Sequence, residues 1–177
     1  GCIGLLPMAF AQIERPVTWS FDTEPGDNGQ VIVNFTASID QGWHLYSQFI
    51  EAGGPVPTTF TFEEVEGYEL VGSVSESGSK HSGYDETFKM DLAYFDTRAT
   101  FSQVVSLSGS SANVKGYLEF MVCNDEKCLP PEYVDFDIPV EAVAAVTETP
   151  AVAEEAPVEE TPQIAQTEEP VLQEGPS

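Results

Sequence analysis

The feature that most constrains this chain is an alternation of apolar and polar side chains with a period of two, recurring between residues 17 and 140. In "VIVNFTASI", Val31, Val33, Phe35, Ala37 and Ile39 fall on one face, the pattern of a strand half-buried against a core. "VTWSF", "WHLYSQF", "TTFTFEEV", "YELVGSV", "TFKMDLAYF", "ATFSQVVSL", "NVKGYLEFMV" and "YVDFDIPV" read as further extended runs. Turn chemistry such as "EPGDNGQ" and "GGPVP" separates them. Helical periodicity is scarce. About nine short strands with frequent turns predict an all-β sandwich. The register of "ATFSQVVSL" stays open, because Phe101 and Gln103 oppose Val104 in parity. The Gly/Ser-rich run "SESGSKHSG", residues 75–83, predicts a mobile loop with Lys80 and His81 solvated. Trp19 and Trp43 read as core. Asn34-Phe35-Thr36 matches a glycosylation pattern, but its place inside a strand argues against modification.

The two ends of the chain differ from this middle. "CIGLLPMAFAQ" holds a short apolar run followed by Ala9-Phe10-Ala11, the h-region and A-x-A site of a secretory signal peptide. Residues 1–11 are therefore expected to be a signal-peptide remnant, cleaved after Ala11. A lipobox at Cys2 is disfavoured, since the apolar run follows the cysteine instead of preceding it. Residues 12–140 form the expected folded domain, long enough for one core. From Glu141 onward the chain is rich in Pro, Glu, Ala, Val and Thr, with no aromatic residue, Lys or Arg. Such a segment buries too little apolar surface to offset its ordering entropy. Residues 141–177 are expected to be a disordered acidic linker.

Charge narrows the partners. The chain carries 30 acids against six bases, and the segment from Glu141 holds nine of the acids and no base. The remainder still has 21 acids against six bases, a net −15. A nucleic-acid partner is disfavoured, because a phosphate backbone needs a basic face. An anionic membrane surface is disfavoured for the same reason.

If Cys2 leaves with the signal peptide, only Cys123 and Cys128 remain, in "FMVCNDEKCLPPEYV". Export places them where a disulfide persists. Five extended residue steps span roughly 17 Å, far beyond the reach of a disulfide. The polar "NDEK" must therefore turn back, as a hairpin tip with the two sulfurs facing across it. Closing so small a loop contributes on the order of 2 kcal/mol in the chain-entropy picture, and less where strands already hold the ends. The residues alone leave a structural staple and a redox dithiol both open. A zinc site is disfavoured. Only His44 and His81 remain as imidazole ligands, at unrelated positions, and zinc wants four ligands or three plus water.

"GWHLYSQ" (residues 42–48) followed by "CNDEKCLPP" (residues 123–131) resembles the periplasmic N-terminal domain of the DsbD family of thiol-disulfide interchange proteins. The resemblance spans residues 17–140, and its most specific part is the Cys-Pro-Pro segment. It implies an immunoglobulin-like β-sandwich with a redox Cys hairpin and protein-disulfide reductase activity, with no organic cofactor. It implies that Cys123 and Cys128 are the redox pair, with Cys128 forming the mixed disulfide to partners. Tyr46 matches a tyrosine beside the pair, and His44 stands where the family can have another aromatic. A cap loop shielding the disulfide falls by position on residues 75–88, with Tyr84 or Phe88 as the shield. This sequence is looser and less aromatic there. Lys127 adjoins Cys128 and favours its thiolate, while Asp125 and Glu126 oppose it, which leaves the local field open. Pro130 and Pro131 remove two backbone donors and stiffen the exit of the hairpin. The implied setting is the periplasm, tethered to the inner membrane in a longer chain. The implied partners are a membrane domain that supplies electrons, thioredoxin-like proteins or domains, and disulfide isomerase-like proteins, in processes such as cytochrome c biogenesis. The domain is expected to be a monomer. The competing reading is a secreted immunoglobulin-like binding or adhesion module with a structural hairpin disulfide.

Overall fold

The structure is a computed structural model, and it describes residues 13–142. The expected signal-peptide remnant, and the expected linker beyond Ala142, lie outside the described residues. Nine strands form the domain: β1 (Val17–Pro25), β2 (Val31–Ile39), β3 (His44–Tyr46), β4 (Thr59–Phe62), β5 (Tyr68–Asp85), β6 (Met90–Leu107), β7 (Ser111–Phe120), β8 (Val122–Cys123) and β9 (Glu132–Glu141). A short 3-10 turn, Asp27–Gly29, joins β1 to β2.

Two antiparallel sheets make an immunoglobulin-like β-sandwich. One follows the order β1-β2-β6-β3-β8, with β5 also on β6, and the other follows β4-β7-β9. The alternation in β2 sets the core: Val31, Val33, Phe35, Ala37 and Ile39 are all buried. Phe35 bridges the layers. Its ring lies 5.0 Å from that of Phe60 and 4.8 Å from that of Phe136, both in the facing sheet. Burying such a side chain stabilises the fold by about 1.5–3 kcal/mol. Trp19 and Trp43 pack against this core but are only partly buried.

Two expectations change. The run at residues 75–83 is not a loop. It continues β5, which pairs with β6 along most of its length. "TFKMDLAYF" and "ATFSQVVSL" likewise merge into the single strand β6. The apolar pattern missed this pairing because most of β5 is exposed, so its residues need no apolar face. The register of β6 resolves with Ala99, Phe101, Gln103 and Val105 all buried. Gln103 is accommodated because its amide donates to the Val71 and Val104 carbonyls. Asp96, Thr97 and Arg98 oppose Ser79 alone, a bulge with Thr97 at φ 59°. At that bulge β6 exchanges β3 for β2 as its neighbour.

"WHLYSQF" is strand only at His44–Tyr46. After it, Ser47 and Gln48 are held by Glu76 of β5. The Ser47 hydroxyl donates to Glu76 Oε1 at 2.5 Å and the Gln48 amide N–H donates to Oε2 at 3.0 Å. Lys80 closes the same carboxylate at 2.8 Å, and the Glu76 side chain is 4% exposed. Lys80 is thus paired, and His81 is too: it stacks on Tyr94 and sits 3.0 Å from Asp96. Both are exposed, as expected, but each also has a partner.

Candidate active site

The cysteines are placed by a change of sheet. β7 and β9 pair from Ser111↔Glu141 to Phe120↔Glu132. At Met121 the chain leaves that sheet, and β8 joins the other one, with His44 opposite Cys123 and Leu45 opposite Val122. Residues 124–127 then turn back, as the polar "NDEK" requires. Asn124 Oδ1 accepts from the Glu126 and Lys127 amides, and Asn124 N–H donates to the Lys127 carbonyl at 2.8 Å. Leu129 N–H donates to the Val122 carbonyl at 3.0 Å. Cys123 and Cys128 face each other as a bridge pair and are joined as a disulfide.

The two sulfur-bearing residues are not equivalent. Cys123 is 2% exposed and clusters with Tyr46 and Leu92, flanked by Phe88, Met90, Tyr94, Ile50 and Met121. Cys128 is exposed at the outer side of the turn. Both line a cleft of about 420 Å³ whose other wall is His44, Tyr46, Asp85, Thr87 and Phe88.

That wall is an aromatic and acidic surface built from three elements. His44 and Tyr46 alternate onto the same face of β3, and His44 Nε2 lies 3.2 Å from the Tyr46 hydroxyl in a hydrogen bond. His44 also packs on Tyr94 of β6, ring centres 4.6 Å apart. Burial pushes the Tyr46 phenol up to about 12, helped by Asp85 and Tyr94. Burial holds His44 below its ordinary value, against the pull of Asp125 and Asp85. Tyr46 is therefore a neutral phenol at neutral pH.

The residues expected to cap the site separate here. Phe88 lies in the turn between β5 and β6, its ring 6.4 Å from that of Tyr46, in the cleft with the cysteines. Tyr84 is 58% exposed and lines a different depression, with Ser82 and Leu92. The segment that reaches the cleft is thus the tight turn following Asp85, where Asp85 Oδ1 accepts from the Thr87 and Phe88 amides. It is not a loop running from residue 75. Lys127 lines the cleft, but its ammonium is 2.5 Å from Glu14, which offsets the charge expected to favour a Cys128 thiolate. Pro130 and Pro131 are exposed and carry the chain from the hairpin to β9.

Tyr94, Asp85 and Glu76 escaped sequence reasoning. They come from strands far from the cysteines; register brings Tyr94 and Asp85 to His44, and brings Glu76 to the segment after Tyr46. Among the described residues no cluster of three or more His, Cys, Asp and Glu is arranged to hold a metal ion.

No curated protein matches. Among solved structures, the reduced DsbD N-terminal domain of Neisseria meningitidis is similar at 21% identity and TM-score 0.47, covering 70% of this chain and 86% of that one. The N-terminal periplasmic domain of ScsB from Proteus mirabilis is similar at 14% identity and TM-score 0.46, covering 68% of this chain and 44% of that one. The sequence model of the family described as "Thiol:disulfide interchange protein DsbD, N-terminal" matches residues 12–139. The chain therefore belongs to the family of DsbD N-terminal domains and is a thiol-disulfide exchange module.

Proposed function

We propose that this domain passes reducing equivalents from a membrane-domain dithiol to disulfides of thioredoxin-like partners in the periplasm, with Cys128 as the sulfur that meets the partner. The observation that carries this reading is the asymmetry of the pair: Cys128 is exposed at the cleft, while Cys123 is 2% exposed behind it. Access decides which sulfur exchanges first. In the reduced domain the Cys128 thiolate attacks a partner disulfide, expelling one partner thiolate and forming a mixed disulfide. Cys123 then attacks Cys128 Sγ, expelling the second partner thiolate. The partner gains two electrons and two protons, and the domain is left with the Cys123–Cys128 bond. A dithiol donor reverses both steps on the domain. Disulfide isomerase-like proteins are partners of the same chemical class, and tethering to the inner membrane keeps the donor near.

Two measurements test this. Cys123→Ser should accumulate a mixed disulfide through Cys128 with a thioredoxin-like disulfide protein, and Cys128→Ser should accumulate far less. Trapping through Cys123 instead would reverse the assignment. The reduction potential should lie above about −300 mV, the value below which inert structural bonds fall. A lower value, with no exchange, would return the domain to a binding module with a stapled hairpin.

A further inference from the structure

His44 is the group in the cleft that the exchange reading leaves unused. It stands directly opposite Cys123 across the β3–β8 pair. Opposed residues of an antiparallel pair project from the same face with Cβ atoms about 5 Å apart. His44 lines the cleft together with both cysteines. It is half-buried and held by two contacts, the Tyr46 hydroxyl and the Tyr94 ring. Its fixed ring therefore stands beside the more buried of the two sulfurs.

We propose that His44 handles the proton of the exchange, taking it from the Cys123 thiol as that sulfur resolves the mixed disulfide on Cys128. The role rests on the exchange reading above. The neutral imidazole accepts the Cys123 proton, and the new thiolate attacks Cys128 Sγ. The Cys123–Cys128 bond forms as the bond from Cys128 to the partner breaks. The expelled partner thiolate takes the proton back from the imidazolium, so His44 ends the cycle neutral. In the reverse direction the same ring protonates Cys123 as it leaves.

The surroundings suit a group that must be neutral before the step and charged within it. Tyr46 meets His44 from its own strand, Tyr94 from β6, Asp85 from the end of β5, and Asp125, Glu126 and Lys127 from the hairpin. Burial lowers its affinity for a proton, which keeps it a base at neutral pH, while Asp125 and Asp85 favour the imidazolium once formed. Lys127, the nearby cation, is engaged by Glu14.

The test uses the reduced full chain carrying Cys2→Ser, so that only two thiols report, with 4,4′-dithiodipyridine as the disulfide. The first release of thiopyridone reports attack on the reagent, and the second reports resolution. In His44→Phe, which keeps a ring against Tyr94, the ratio of second to first rate constant should fall by about tenfold or more. With His44 present the second rate constant itself should decline as pH falls through an inflection below about 6.5, the ordinary histidine value. The inflection should be missing in the variant. His44→Gln, which can still hydrogen-bond Tyr46, should show the same loss. Equal slowing of both phases, an unchanged ratio, or recovery of the ratio in His44→Gln would each overturn the proposal. Absence of any release with His44 in place would instead overturn the exchange reading, and the proton role with it.

Discussion

Glu76 shows how a single residue sets the site without touching it. Its carboxylate accepts from Ser47, Gln48 and Lys80, and so ties the segment after Tyr46 to β5. Burial alone would push the carboxyl up. The donors from Lys80, Ser47 and Gln48 together outweigh it and hold it below the ordinary carboxylate value. A depressed pKa gives stability that is present above the unfolded value and lost as pH falls through the folded one. Glu76→Gln should therefore cost about 1–3 kcal/mol at pH 7 and clearly less near pH 3. Urea unfolding at the two pH values checks this; an equal cost at both would refute the charged role. Nothing in the sequence marked Glu76, because Ser47 and Gln48 lie nearly thirty residues away and meet it only through the pairing of both β3 and β5 with β6. The cysteine pair was legible, since its turn can be argued from reach alone. Which sulfur is buried was not legible from spacing.

At the scale of elements, packing is tightest where β7 passes between its neighbours. A Cβ on Gly116 would run into the Thr61 carbonyl of β4 and come within 2.8 Å of the Phe136 ring of β9. Gly116→Ala should push β4 off β7 and cost about 2 kcal/mol or more, the range for forced overpacking. Thermal unfolding reads that loss, and a melting temperature within a degree of the parent would contradict it. Alternation made the β7–β9 pair readable, because it has one buried and one exposed face, and it made β2 readable through an apolar face opposite a polar one, although Asn34 and Thr36 on the polar face are buried as well. It failed for β5, whose Ser, Gly and Lys residues carry no apolar face, and whose conformation is set by hydrogen bonding to β6. It also missed the change of sheet at Met121. β7 and β8 read as one continuous strand, and only the position of β3 separates them.

At the scale of the molecule, the charge excess extends into the cleft. Asp85, Asp125 and Glu126 line it, and its one lysine is paired with Glu14. Cationic disulfides should therefore exchange faster than anionic ones of similar reactivity. At low salt, cystamine should outpace oxidised glutathione by a margin that shrinks as ionic strength rises, since the Debye length falls to about 10 Å at 0.1 M. A salt-independent ratio would show that the cleft's charge does not reach the encounter. The acid excess was legible from composition, but its concentration around the sulfurs depended on the turn after β5 folding back toward the hairpin.

The change of sheet at Met121 has a consequence for descent. Phe120 and Glu132 already face each other at the end of the β7–β9 pair, so residues 121–131 leave and rejoin a hairpin that is closed without them. Most of the sandwich's layers and its large aromatic contacts lie outside that excursion. The chemistry rides as a cassette between the two ends of a pairing it does not set, tied to the rest by Val122 in the core and by the short β3–β8 pair. A lineage can then lengthen, shorten or retune the turn between the cysteines while the β7–β9 pairing that carries it stays in place.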